Sequence, residues 1–356
     1  MADNEMTRRD FMRDSAAVAA GGGRAEAAKS ATGAKPREKT RSHNPDMEYR
    51  RLGKTGLWVS AVSLGGHWKR IDKVLGGAQP RRGRSAFDQN RHDVVTRCLE
   101  VGINYVDACC GEEILAYAKA LRGRREKMYF GYSWHVKESR FPQWRSAKRL
   151  LQGLDEGLRD AKLEYVDLWR ISMLVQGSRH TDGEAEEMAA ALEKARQQGK
   201  TRFTGLSSHD RPWIKKVIEK YPDQIEAILT PYTADSKELP RDSLFETVRK
   251  HDVGVFGIKP FASNSLFRGD GSPDSPHAAE DDRRARLAIR HILNNPAVTA
   301  PIPGLISIHQ VDNMVQALKE RRKLDLPEKA ELKSATDEMW ARLPQGYQWL
   351  RQWEYV

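Results

Sequence analysis

The residues with most chemistry to offer stand together in the run VGINYVDACCGEEILAYAKAL, residues 101–121. Its apolar segment INYVDA ends on a carboxylate, Asp107, and two adjacent cysteines, Cys109 and Cys110, follow before Gly111. A carboxylate at the end of a buried strand needs a counter-charge to stay ionised. The cysteines admit three readings. They are small apolar fillers, or a vicinal disulfide in an oxidising compartment, or a reactive or metal-binding pair. No histidine or further cysteine lies close to them in sequence, which weighs against the last and leaves no metal site expected. Further along, SWH brings His135, a residue type suited to acid or base work. Its plainer reading is a loop histidine packed beside Trp134.

The elements that must position these groups are legible from Met47 onward. MEYRRLGKTGLWVS reads as a hairpin around residues 53–56. Short apolar strands then alternate with amphipathic helices, and the strands are predicted at 60–64, 103–107, 127–133, 165–171, 201–206, 225–229, 253–258 and 298–302. Eight strand–helix units in series predict an α/β fold, a parallel (β/α)8 TIM barrel with a helical and aromatic C-terminal extension. No GxGxxG follows the first strand, which argues against a doubly wound sheet. The expected division is a leader and disordered linker over 1–46, a barrel over 47–325 and an extension over 326–356.

In such a barrel the chemistry gathers where the strands end. Side chains alternate along a strand, so if Ser133 and Ser172 face inward, His135 and Arg170 do too. Arg170 then becomes the counter-charge of Asp107, whereas a slip of one residue turns it outward.

The pieces YRRLGKTGLWVSAVSLGG, GINYVDA, LEYVDLWRI, GKTRFTGLSSH, GVFGIKPF and NNPAVTAPIPGLISIHQVDN, in that order, resemble the aldo-keto reductase superfamily over residues 47–320. The resemblance implies NAD(P)-dependent interconversion of carbonyls and alcohols. It also implies four catalytic groups: an aspartate, a proton-donating tyrosine, a lysine that lowers the tyrosine's pKa, and a histidine that positions the carbonyl. Asp107 matches the aspartate. Cys110 stands at the tyrosine's place, Ser133 at the lysine's and Ser172 at the histidine's. The sulfur of Cys110 falls about 4 Å short of a phenolic oxygen, so as a proton donor it serves only a more deeply bound substrate. The candidate catalytic set is therefore Asp107, His135, Cys110 and Arg170. For a nicotinamide cofactor, NAD or NADP, the resemblance points to Ser207, Ser208, Lys259, Gly304, Ser307 and Gln310. Leu229 and Met314 replace a glutamine and an adenine-contacting asparagine, and Leu305 and Ile306 offer no cation to a 2′-phosphate.

The chain's 356 residues are 39% hydrophobic and 31% charged, with a net charge of +11. No apolar run approaches the roughly 20 residues of a membrane span. The arginine-rich charge is spread out and no nucleic-acid-binding signature accompanies it, so a small anionic or sugar-like substrate is the better partner. The segment HWKRIDKVLGGAQPRRGRSAF, with Lys69, Arg70, Arg81, Arg82 and Arg84, reads as a basic lid or as a solvated loop. The tail carries Trp340, Tyr347, Trp349, Trp353 and Tyr355, suited to stacking on a sugar face or to packing a terminal helix. At the other end Arg8, Arg9 and Phe11, a small-residue stretch and Ala25-Glu26-Ala27 resemble a twin-arginine export signal. The export machinery is then a partner and the location periplasmic or otherwise exported; a disordered basic tail on a cytoplasmic protein is the alternative. The functional expectation is an atypical oxidoreductase acting on a carbonyl or alcohol. The alternatives are an inactive barrel kept for binding and a non-redox lyase or isomerase.

Overall fold

The computed structural model describes residues 40–76, 85–237 and 243–353. The paired arginines of the leader, Arg81, Arg82 and Arg84 of the basic loop, Tyr355 and the Trp353 side chain lie outside these described parts. No helix among the described residues is long and apolar enough to cross a membrane.

The hairpin is as expected. Strands β1 (Tyr49–Arg51) and β2 (Trp58–Ser60) pair antiparallel with Tyr49 opposite Ser60. The turn between them tightens into a 3-10 stretch, Gly53–Thr55, and reverses at Gly56, which sits in the left-handed region where glycine has no Cβ to clash. Leu52, Leu57 and Val59 bury themselves against Tyr105, Leu168 and Phe256, so the hairpin plugs the barrel interior from below.

Seven parallel strands follow in chain order: β3 (Tyr105–Ala108), β4 (Tyr129–Tyr132), β5 (Val166–Ser172), β6 (Thr201–Ser207), β7 (Ala227–Pro231), β8 (Gly254–Ile258) and β9 (Ala300–Ile302). The strand predicted at 60–64 contributes only a bridge, Leu64 to Val106, yet it closes the ring. Ser63 and Gly65 donate N–H groups to the carbonyls of Pro301 and Pro303 at 3.1 and 2.8 Å, while Leu64 donates to Tyr105 at 2.9 Å and accepts from Asp107 at 2.8 Å. Proline has no N–H, so Pro301 and Pro303 accept without donating back, which keeps this stave short.

Helices α1 (Ser85–Val101), α2 (Gly111–Ala120), α3 (Ala147–Ala161), α4 (Asp182–Gln197), α5 (Arg211–Lys220), α6 (Ser243–His251), α7 (Ala278–Leu293) and α8 (Ile308–Lys319) follow the strands. α3 shows how they seat. Leu150, Leu154 and Leu158 recur every four residues and are buried, and Gly157 shares their face so that Tyr132 of β4 can approach it. The extension is helix α9 (Leu326–Ala341), opened by a capping box of Asp325 and Glu328, and then a 3-10 stretch, Gln345–Trp353.

The expected linker differs from the structure over its last residues. From Thr40 the chain packs on the N-terminal end of the barrel, because Asp167 on β5 is fully buried and calls for cations. Arg41, Arg125 and Arg202 each reach its carboxylate, at 2.9, 2.7 and 2.9 Å. Burial would raise the Asp167 pKa; the three guanidiniums outweigh it and hold the carboxyl well below the usual range.

Candidate active site at the carboxyl ends of the strands

A cavity of about 490 Å³ opens where the strands end, lined by β3, β5, β6 and β8 and roofed by the C-terminal tail. On its floor Arg170 grips Asp107 with both arms. Its Nε donates to Oδ1 at 3.0 Å and its Nη2 to Oδ2. Both side chains are buried, and burial pushes the Asp107 carboxyl up while Arg170 pulls it back. Gly131, paired with Asp107 across β3 and β4, makes the room: a Cβ there would lie 2.0 Å from the Tyr105 hydroxyl and 2.9 Å from the Asp107 carboxylate. A guanidinium does not give up its proton at working pH, so this pair shapes the field of the cavity rather than transferring protons.

The places of the lysine and histidine are tied off by a group the sequence did not suggest. Glu138 is buried and accepts from Ser133 Oγ at 2.5 Å, Ser172 N–H at 2.7 Å, and Trp134 N–H and Trp169 Nε1 at 3.1 Å each. It laces the ends of β4 and β5 together. His135 does not continue β4; it starts a 3-10 turn, His135–Lys137, so strand alternation does not place it. It still lines the cavity, because its Nδ1 bonds the Cys109 carbonyl at 2.8 Å.

Cys110 is a correction. It caps the N-terminus of α2 in an extended conformation and does not line the cavity; Cys109 does. A helix that starts at Gly111 turns the residue before it away from the barrel mouth. All three cysteines are free thiols. The cysteines also have a histidine after all. His67, from the loop after the first stave, brings Nε2 to 3.5 Å from Cys109 Sγ, and its Nδ1 lies 2.7 Å from Glu113 Oε1. Sequence distance hid this contact, since His67 and Cys109 come from different βα loops. The Glu112-Glu113 pair opening α2 was the available signal.

The tail brings in Tyr347 and Trp349. Lys69 Nζ donates to Tyr347 Oη at 3.0 Å and also to Ser263 Oγ, and Lys259 Nζ lies 5.8 Å from the Tyr347 ring centre. Burial alone would raise the Tyr347 pKa, but the Lys69 bond and the two ammonium charges outweigh it and hold the phenol down at about 8. Trp349 stacks on His209 at 4.4 Å. Burial, with Lys259 and Arg140 nearby, keeps the His209 imidazole well below its usual value.

The six cofactor candidates divide. Ser207, Lys259 and Gly304 line the cavity. A Cβ at Gly304 would lie 2.3 Å from the Gly66 carbonyl oxygen, so only glycine admits this close crossing. The other three are consumed by their own loops, which corrects the expectation. Ser208 Oγ donates to the Leu174 carbonyl at 3.0 Å, Ser307 caps α8 by accepting from Gln310 N–H, and Gln310 Oε1 accepts from Ile306 N–H at 3.0 Å. Ile306 is buried among Ile71, Phe87 and Ala116, and Met314 is core. Ser207, Lys259 and Gly304 thus remain on the cavity wall.

Residues 74–286 match the sequence profile of the Aldo/keto reductase family. L-galactose dehydrogenase of Arabidopsis thaliana is 26% identical over 309 residues, covering 79% of this chain and 91% of its own. L-glyceraldehyde 3-phosphate reductase of Escherichia coli O157:H7 is 24% identical over 320 residues, covering 76% and 88%. A solved aldo/keto reductase from Klebsiella pneumoniae, in complex with NADP and acetate, superposes with a TM-score of 0.59 at 19% identity, covering 81% of this chain and 95% of that one. That last similarity is one of fold.

Proposed function

The chain belongs to the aldo/keto reductase family of oxidoreductases, and from that premise we propose that its cavity interconverts a carbonyl and an alcohol on a small sugar-like substrate. The observation that carries this reading is Tyr347. The family's acid, by resemblance, is a tyrosine whose pKa a lysine lowers. Here Cys110 and Ser133 stand at those two places, while Tyr347, Lys69 and Lys259 assemble the same pair of functions from the tail, the first loop and the end of β8.

In this reading a nicotinamide dinucleotide supplies or accepts the hydride, and Ser207, Lys259 and Gly304 would hold its nicotinamide end. Tyr347 gives its phenolic proton to the carbonyl oxygen in reduction and takes it back in oxidation. Lys69 keeps the phenol acidic. Arg140 and Lys259, both on the cavity wall, favour substrates bearing an anionic group. The names of the two relatives, a galactose dehydrogenase and a glyceraldehyde 3-phosphate reductase, support a sugar or sugar phosphate as substrate.

The test is turnover of sugar aldehydes and alcohols with NAD(H) and NADP(H), with Tyr347→Phe beside the wild type. The expected loss in kcat is roughly 10²–10⁴-fold. The acid form of the phenol exists below pH about 8, so reduction is expected to fall above that pH and oxidation to rise through it. Lys69→Met is expected to move the break upward. A protein that binds none of the four nucleotides in calorimetric titration would end this reading.

A further inference from the structure

Just past β8 the backbone makes a turn that residues with a Cβ rarely adopt. Ala262, Ser263 and Asn264 form a short 3-10 stretch in which all three have positive φ, at 43°, 61° and 69°. Left-handed backbone crowds Cβ against the next carbonyl, so three such residues in a row persist only where their surroundings impose it. Here the surroundings are apolar. Ala262 is fully buried with Leu266 of the same loop and with Leu343 and Leu350 of the tail, and Tyr347 packs against this cluster. One core thus seats both the turn and the tail, and it keeps Ser263 and Tyr347 together.

Ser263, Tyr347 and Lys69 all line the cavity. The Lys69 ammonium joins the two hydroxyls: Nζ donates to Tyr347 Oη at 3.0 Å and also to Ser263 Oγ. Ser263 helps Lys69 to hold the Tyr347 phenol below its ordinary value. A hydroxyl that accepts from an ammonium still has its own proton to give. The cavity therefore presents two O–H donors side by side, and a carbonyl oxygen has two lone pairs to receive them. Ser172 stands at the place of the histidine that, by resemblance, would position the carbonyl, and its N–H is given to Glu138 at the end of β5. The printed contacts that reach Tyr347 come instead from Lys69, which carries Ser263 with it.

We propose that Ser263 is a second catalytic donor, whose hydroxyl binds the substrate's carbonyl oxygen beside the Tyr347 phenol. The proposal rests on the reading of Tyr347 as the acid. As hydride adds to the carbonyl carbon, the π pair moves to oxygen. The Tyr347 proton passes to that oxygen, and Lys69 stabilises the phenolate left behind. Ser263 keeps its proton; its hydrogen bond strengthens as negative charge gathers on the oxygen, which lowers the barrier. The competing role is narrower: Ser263 anchors Lys69 and never touches substrate.

Ser263→Gly separates the two roles, because glycine adopts the left-handed turn freely and removes only the hydroxyl. Two readings on the full chain are needed. The first is infrared difference spectroscopy of dihydroxyacetone, carbon-13 labelled at its carbonyl, with no nucleotide present. The bound carbonyl band is expected at lower wavenumber than in water, and Ser263→Gly and Tyr347→Phe are each expected to move it back toward the free value. The second is turnover at about pH 6, where the phenol, with its value of about 8, is protonated in wild type and variant alike. There Ser263→Gly is expected to lower kcat by roughly 10²–10³-fold with a smaller change in KM. An unchanged kcat at that pH, with only the break in the pH profile moved upward, overturns the proposal in favour of an anchor for Lys69. A carbonyl band at the free value in the wild type, or one that Ser263→Gly leaves in place, also overturns it. A band that depends on Ser263 in a protein that turns over with none of the four nucleotides supports the donor pair and ends the redox reading alone.

Discussion

Glu113 is the residue on which the first loop, the cysteine turn and α2 converge. Burial would raise its pKa, yet the His67 ring and the backbone N–H groups of Cys109 and His67 hold it down at about 2, against an ordinary value of 4.5. A carboxyl depressed in the folded state stabilises the fold fully above its unfolded pKa, and the contribution disappears as the pH falls through the folded value. Here that window runs from pH 4.5 down to about 2. The contribution at neutral pH is roughly 2–3 kcal/mol, discounted because His67 is half in solvent. Glu113→Gln is expected to lose this at pH 7 and to lose less than the wild type on acidification. Urea unfolding at pH 7, 4.5 and 2.5 checks it; parallel losses in the two proteins would place the acid sensitivity elsewhere.

The strands and helices act at a larger scale by bringing loops from opposite sides of the ring over one floor. Gly131 on β4 lets Tyr105 and Asp107 of β3 coexist, and Arg170 two residues before the end of β5 meets Asp107 across that gap. At the other end of the same strand Asp167 plays a structural part, fastening the chain ahead of the hairpin to the barrel through Arg41. Arg41→Met removes a charge-assisted bond to a fully buried carboxylate while Arg125 and Arg202 remain. The expected cost is about 1.5–3 kcal/mol in equilibrium unfolding. A variant as stable as the wild type would show that two arginines suffice for Asp167.

For the whole molecule, the tail matters most. Tyr347 and Trp349 reach back over the barrel mouth, against Lys69 of the first loop and His209 after β6, so the cavity is complete only when both chain halves have folded. That requirement suits the export reading, because the twin-arginine route carries folded proteins. Arg8→Lys with Arg9→Lys is expected to shift the protein from the periplasmic to the cytoplasmic fraction of a bacterial host. Equal distribution of both forms would remove the export reading and leave the cytoplasmic alternative.

The barrel was legible in the sequence because short apolar strands and period-3.6 helices are local patterns, and eight such units in series leave few ways to close. The pairing of Asp107 with Arg170 was legible too, since alternation along β5 is a local rule and the register allowed it. His135 escaped that rule because β4 ends at Tyr132. What the sequence could not disclose are contacts made by loops: His67 on Cys109 and Lys69 on Tyr347, far apart in the chain, and Glu138 turning back beneath Ser133 to meet Ser172. Strand order fixes which loops are neighbours, but the path of each loop depends on backbone turns and close glycine crossings that no residue pattern encodes. The sequence by itself therefore determined the scaffold and the floor of the site, and only the tertiary structure decided which side chains meet above it.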